Sequence, residues 1–142
     1  MNKILADMHT HTIASGHAYA TLTEMCKEAA NKGLEIYGIT EHSSGTPGTC
    51  ADIYFQNLRV VPRDLFGLDL RLGAEINIID YNGTLDLDQK YIDRLDFVIA
   101  GIHSVCYKFG SKEENTAAII NAIKNPNVNI ISHPDDGRCP LD

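Results

Sequence analysis

The sequence has no apolar run near the roughly 20 residues that a membrane-spanning helix needs. Its opening residues, MNKILADMHT, have neither the long apolar stretch nor the small-residue cleavage site of a secretion signal. Both absences point to a soluble chain working in the cytoplasm, with no membrane partner. Positive charge is also scarce: 12 Lys and Arg stand against 19 Asp and Glu, for a formal charge of −7. Without a basic stripe to track a phosphate backbone, a general nucleic-acid surface is not expected, whereas bound metal cations would offset the acidity locally. Cysteine comes as four scattered residues, Cys26, Cys50, Cys106 and Cys139, with no CxxC pair. In a reduced compartment these read as free thiols, neither a disulfide frame nor a zinc ribbon. Cys106 and Cys139 each follow a histidine by a few residues, which leaves a ligand role open beside ordinary packing. There is no GxxxxGK[ST] loop, internal repeat, low-complexity tract or linker. At 142 residues the chain can bury about two-thirds of its unfolded surface, so one core is expected.

What is present is an alternation of β-rich runs and helical stretches, the pattern of a parallel α/β architecture. KILADM (3–8) reads as a first strand. Thr21 and Glu24 form a T-x-x-E capping box that opens a helix through Leu22, Met25, Cys26 and Ala29, stopped by Gly33. EIYGIT (35–40) is a second strand, and SSGTPGTCADIYF (43–55) a long loop rich in turn formers. QNLRVVPRDLFG (56–67) reads as a short helix weakened by Pro62. A third strand, LRLGAEINII (70–79), is followed by an Asn82-Gly83 hairpin turn and a helix over DLDQKYIDRL (86–95). DFVIAGI (96–102) is the fourth strand, and Asn115 is the expected cap of TAAIINAIKN (116–125). VNIIS (128–132) is the fifth.

Half of the six histidines crowd into residues 7–17, DMHTHTIASGH. Histidine is a middling choice for helix, strand or core, so folding supplies no reason for the crowding. Placed on the elements, His9 and His11 follow strand one, His42 strand two, His103 strand four and His133 strand five, with Glu75 near the end of strand three. In parallel α/β sheets and barrels, the carboxyl edge carries the site. In extended backbone His9 and His11 lie on one face about 6.6 Å apart along the chain, close enough to close on one ion. Asp7 shares their parity and could accept a hydrogen bond from a ligand histidine. His17, in the loop beyond, can reach a different ion. Neutral imidazoles and a carboxylate suit zinc, iron or manganese better than calcium or magnesium. Each histidine alone also fits a satisfied loop or core residue, and the joint pattern is what favours a metal cluster. Glu75 is the strongest addition, because a carboxylate in an apolar strand is costly unless paired or liganded. Its two oxygens could bridge two ions.

Those stretches, DMHTHTIAS, GITEHS, GAEINI, AGIHS and ISHP, resemble in order the successive motifs of the PHP (polymerase and histidinol phosphatase) superfamily. HAYATLTE and YFQNLRVVPR are most similar to its bacterial three-metal phosphatase branch. The resemblance implies a distorted barrel of seven βα units with up to three metal ions, commonly zinc, at the carboxyl rim. It implies that His9, His11 and Glu75 hold one ion, that Glu75, His103 and His133 hold a second, and that His17 and His42 hold a third. The Asp-x-His motif that completes the first and third sites in the family is absent. With about five βα units, residues 1–142 are expected to be a PHP metal-dependent phosphoesterase domain that lacks the later part of the barrel, about 60% of a family member. The open sheet edge would come from truncation or proteolysis, or would be covered by association into a homo-oligomer. Two departures, Glu41 where TDH is usual and Asp135-Asp136 where Gly-Asn is common, stand behind the ligands at most.

The implied activity is a metal-dependent phosphoesterase acting on a small phosphomonoester, with Glu75 and His103 holding catalytic ions whose hydroxide attacks phosphorus. Among the basic residues Arg63, in VPR, is the favoured phosphate fork, ahead of Arg59, Arg138 and Lys108. Two other readings stay open: an amidohydrolase-like hydrolase, whose first strand also ends in H-x-H, and a non-catalytic metal-binding fragment. A polymerase-associated proofreading role fits the acidic charge less well.

Overall fold

A computed structural model describes residues 3–142. Five strands, β1 (Ala6–Asp7), β2 (Ile36–His42), β3 (Asp69–Asn77), β4 (Phe97–Gly101) and β5 (Ile130–Ile131), pair in sequence order and all in parallel. The helices between them are α1 (Leu22–Asn31), α2 (Ile53–Asn57), α3 (Gln89–Ile92) and α4 (Lys112–Ile123). Each strand lies beside its predecessor and runs the same way, so the chain winds in one sense and the sheet curls into a half-barrel. No helix among the described residues is long and apolar enough to cross a membrane.

The central strand explains the two faces. Along β3, Leu70, Leu72, Ala74 and Ile76 are fully buried and pack with Cys26, Ala29, Phe55, Leu58, Leu87 and Ile92 beneath the helices. The residues between them, ending in Glu75 and Asn77, point to the other face, as the two-residue period of a strand requires. A second cluster, Ile78, Ala100, Ile102, Tyr107, Ala118, Ile119, Ala122 and Cys139, seats α4. All four cysteines are free thiols, and Cys26 and Cys139 serve as packing.

Several expected boundaries shift, each for a local reason. β1 and β5 are shorter than their apolar runs because each has a partner on one side only: two register pairs join β1 to β2 and two join β4 to β5. Ile4, in the expected first strand, stays 75% exposed. α2 begins inside the stretch expected to be loop, buries Phe55, and passes into a single 3-10 turn, Leu58–Val60, before Pro62 can interrupt it. The Asn82-Gly83 turn forms with Gly83 at φ 78°, closing a one-bridge hairpin between Ile78 and Leu85. The Thr21–Glu24 capping box is present.

α4 starts four residues earlier than expected. Its cap is Ser111, reciprocally bonded with Glu114, and Asn115 lies inside the first turn. Buried there, Asn115 accepts from the Gly110 N–H (3.0 Å) and the Tyr107 hydroxyl, and donates to the Pro140 carbonyl (3.2 Å). An asparagine in front of an apolar helix is thus a clamp on two loops, with capping left to serine. Ser111→Ala should lower stability by about 1 kcal/mol, the usual loss of an N-cap. Asn115→Ala, which strands buried donors and acceptors, should cost more, about 2–3 kcal/mol. Urea denaturation compares the two; equal losses would contradict the assignment.

Candidate metal centre

The H-T-H-T alternation is the local device that builds the rim after β1. Thr10 and Thr12 face inward and tie the loop to β2: the Thr10 hydroxyl donates to the Gly38 carbonyl (2.6 Å), and the Thr40 N–H donates back to the Thr10 carbonyl (2.9 Å). Gly38 is required at that crossing, since a Cβ there would stand 2.8 Å from the Met8 backbone. With threonines at one parity anchored, His9 and His11 at the other are left to face the site.

Glu41, with no exposure, holds the next turn of this loop. Its carboxylate accepts from the Thr12 N–H (3.1 Å), the Thr12 hydroxyl (2.6 Å) and the Ser15 hydroxyl. Ser15 spends its proton on Glu41, so its oxygen accepts from the His42 N–H (3.1 Å) and from His11 Nδ1 (3.0 Å). The Nδ1 of His11 therefore carries its proton, and the lone pair of Nε2 is aimed inward. Asp7, expected to orient a ring, accepts instead from the His9 backbone N–H (3.3 Å); the side chains that orient His11 are Ser15 and Glu41. Sequence reasoning missed Ser15, and the only signal for it was a small hydroxyl four residues after a candidate ligand.

The centre of the site is Glu75, 1% exposed. Its Oε2 lies 3.1 Å from His9 Nε2, 3.2 Å from His11 Nε2 and 3.2 Å from His42 Nδ1. Its Oε1 lies 3.2 Å from His103 Nε2 and 3.0 Å from His133 Nε2. One carboxylate thus faces five imidazoles, one oxygen toward the early strands and the other toward the late ones. His17, in the first loop, joins His11 and His42, with ring centroids 5.0 and 4.9 Å away. Three groups have ligand atoms within 4.8 Å of one another: His11, His17 and His42; His9, His11 and Glu75; and His42, Glu75 and His103. His11 and His42 therefore serve two groups each. His133 holds a φ of 29°, a backbone conformation rarely adopted outside glycine, as it brings its ring to Glu75.

Three observations fit divalent cations to this donor set. His11 Nε2 and Glu75 Oε2 both present lone pairs across 3.2 Å, which is repulsive without a positive charge between them. His42 Nδ1 is buried with no aligned hydrogen-bond partner despite its 3.2 Å approach to Glu75. Gly101 leaves the floor open: a Cβ there would collide with Ser132 Oγ and stand 3.3 Å from Glu75 Oε1. Electrostatics agree. Burial works against ionising Glu75, and hydrogen bonds from ring N–H groups would hold its carboxyl below the usual range; where the facing nitrogen carries a lone pair, as at His11, a cation would take that role. Burial lowers His42 to about 4, leaving it neutral and fit for coordination. The bond to Glu75 raises His133. Nitrogen-rich sets of this kind suit zinc, iron or manganese.

Arg63 is not brought to this cluster. Its guanidinium pairs with Asp96 (2.8 Å) and donates to the Leu58 and Val61 carbonyls. Asp96 immediately precedes β4, so Arg63 sits by the amino edge of the sheet while the histidines follow the carboxyl ends. Arg138 is engaged by Asp136 at 2.6 Å, and Arg59 and Lys108 are exposed. Asp136 takes part in that pair, and its backbone N–H donates to the His133 carbonyl (3.1 Å). No cysteine belongs to the three ligand groups.

Comparison with known proteins gives a consistent picture. The sequence model of the PHP domain matches residues 7–130. A probable phosphatase of Acetivibrio thermocellus is 49% identical over 140 residues, covering 99% of this chain and 58% of the relative. Another probable phosphatase, from Caldicellulosiruptor saccharolyticus, is 51% identical over 136 residues, covering 96% of this chain and 57% of the relative. A third, from Clostridium novyi, is 46% identical over 139 residues, covering 98% and 57%. The chain thus spans less than three-fifths of the length of the curated relatives it matches.

Glu41→Gln keeps the shape of the buried acceptor but turns one oxygen into a donor facing other donors. It should destabilise the chain by about 1–3 kcal/mol, read from urea denaturation without metal. An unchanged midpoint would show that Glu41 does not organise the loop.

Proposed function

This chain belongs to the PHP domain family, and from that premise we propose that it forms the metal-holding part of a phosphoesterase acting on a small phosphorylated substrate. The observation that carries the reading is the single buried carboxylate of Glu75 with five imidazole nitrogens 3.0–3.2 Å from its oxygens. His9 and His11 would share one cation with Glu75 Oε2. His103 and His133 would share a second with Oε1. His17 would hold a third with His42 and His11. Zinc is the metal best suited to these donors, with manganese or iron as substitutes. Divalent cations bound here would lower the pKa of water and neutralise charge on phosphoryl oxygens.

The chain's own residues do the rest by position. Ser15 and Glu41 keep His11 in one protonation form, and Glu75 draws ligands from separate strands onto a shared carboxylate. Among the described residues, no lysine or arginine lines the pocket formed by His9, His11, His42, Glu75, His103 and His133. Neutralising a phosphate there falls to cations, since Arg63 is occupied at the other edge. The concave pocket is open, in keeping with a small substrate whose phosphate alone must be recognised closely.

Glu75→Gln tests the reading with little change of shape. The unaltered chain should retain divalent metal after dialysis, measured by plasma emission spectrometry, and should hydrolyse p-nitrophenyl phosphate in a chelator-sensitive way. Glu75→Gln should lose most of its metal and at least about 100-fold in rate, the scale of losing several kcal/mol of charge stabilisation. Metal retention without phosphomonoester hydrolysis would sink the phosphoesterase reading. Equal metal retention by both chains would sink the role of Glu75.

A further inference from the structure

His103 is held from behind by an amide that is itself held by a carboxylate, and neither lies among the ligands discussed above. Asn77, the last residue of β3, is fully buried two positions beyond Glu75. Its Nδ2 donates to Asp86 Oδ2 (2.7 Å) and to Ser43 Oγ (3.0 Å), while its Oδ1 stands 2.7 Å from His103 Nδ1. Asp86, in the segment after the hairpin, is fixed in turn: its Oδ1 accepts from the Asn77 backbone N–H (3.0 Å) and from the Ser43 hydroxyl. Gly45 makes the approach feasible, since a Cβ there would collide with Asp86 Oδ2.

The protons along this chain are determined in order. A carboxylate only accepts, so the amide group facing Asp86 must be NH2. The atom facing His103 is then the amide oxygen, which also only accepts. His103 must therefore carry its proton on Nδ1, and its Nε2 lone pair points at Glu75 Oε1 across 3.2 Å. We propose that Asp86, acting through the Asn77 amide, is a positioning residue that fixes the Nδ1–H form of His103 and so sets metal affinity at the group formed by Glu75, His103 and His133. This inference rests on the metal-holding reading above.

An isosteric substitution reverses the logic. In Asp86→Asn the new side chain must keep an oxygen on the Asn77 backbone N–H, which turns its NH2 toward the Asn77 amide. Asn77 then relaxes by flipping, presents Nδ2 to His103 and moves the ring proton to Nε2. Long-range 1H–15N correlation spectra of the metal-free chain read that proton directly. We expect Nδ1–H in the unaltered chain and Nε2–H in Asp86→Asn. Cobalt(II) titration followed by visible absorption should show about 10–100-fold weaker binding of one ion, the scale on which groups behind a ligand histidine act. Combining Asp86→Asn with Asn77→Asp exchanges the carboxylate and the amide. The carboxylate introduced on β3 would accept both from the amide introduced after the hairpin and from His103 Nδ1, restoring the proton position and the affinity. A merely structural role does not predict that rescue. Asp86→Asn with an unmoved ring proton and unaltered cobalt affinity overturns the proposal, as does a double variant that restores neither. An unaltered chain that takes up no cobalt(II) overturns the metal reading, and this is distinct because the ring proton is read without metal.

Discussion

The rest of the site depends on the burial of the Glu75 carboxylate near the carboxyl end of the central strand, 1% exposed, with two oxygens shared among five imidazoles. An isolated charge at that depth would cost several kcal/mol or would be neutralised by protonation. With the Nε2 lone pairs of His11 and His103 facing it, cations shared with the ring nitrogens would keep it ionised. The backbone around Glu75 fixes the direction in which it points. Its neighbours Ala74 and Ile76 are buried on the helical side, so the strand cannot slip by one residue without putting the carboxylate into the core.

The sheet brings donors to Glu75 by repetition of a simple unit. Each βα unit contributes a strand whose carboxyl end abuts the next, and parallel pairing in sequence order sets those ends along one curved rim. Close approach is secured by small residues at the crossings: Gly38 lets the first loop pass, Gly45 admits Asp86, and Gly101 opens the floor beside Glu75. Threonine and serine act as ties. Thr10 and Thr12 pin alternate positions of the histidine loop to β2, Ser15 joins that loop to the buried Glu41 carboxylate, and Ser43 holds the part-buried Asp86 carboxylate.

Two carboxylates that touch no ligand decide how ligands are presented. Glu41 works through Ser15 on His11, and Asp86 works through Asn77 on His103. In both, an acceptor-only group fixes the direction of an amphiprotic side chain, which fixes the proton on the near nitrogen of the ring. The far nitrogen then presents an unprotonated lone pair toward Glu75. Both relays cross between segments distant in sequence, 26 residues apart for Ser15 and Glu41 and 26 apart for Asn77 and His103.

The sequence by itself determined the alternation of strands and helices, the capping box at Thr21, the hairpin at Asn82-Gly83 and the histidines and glutamate that gather at the rim. These were legible because periodicity, turn chemistry and the cost of a carboxylate in an apolar strand act within a few residues. Only the tertiary structure decided the trimmed lengths of β1 and β5, the interior clamp made by Asn115, the use of Arg63 at the amino edge, the sharing of His11 and His42 between ligand groups, and the relays of Ser15–Glu41 and Asn77–Asp86. The physical reason is the same throughout: ladder partners, ion pairs and hydrogen-bond directions depend on which distant segments meet, and local pattern carries no record of the neighbour across the sheet.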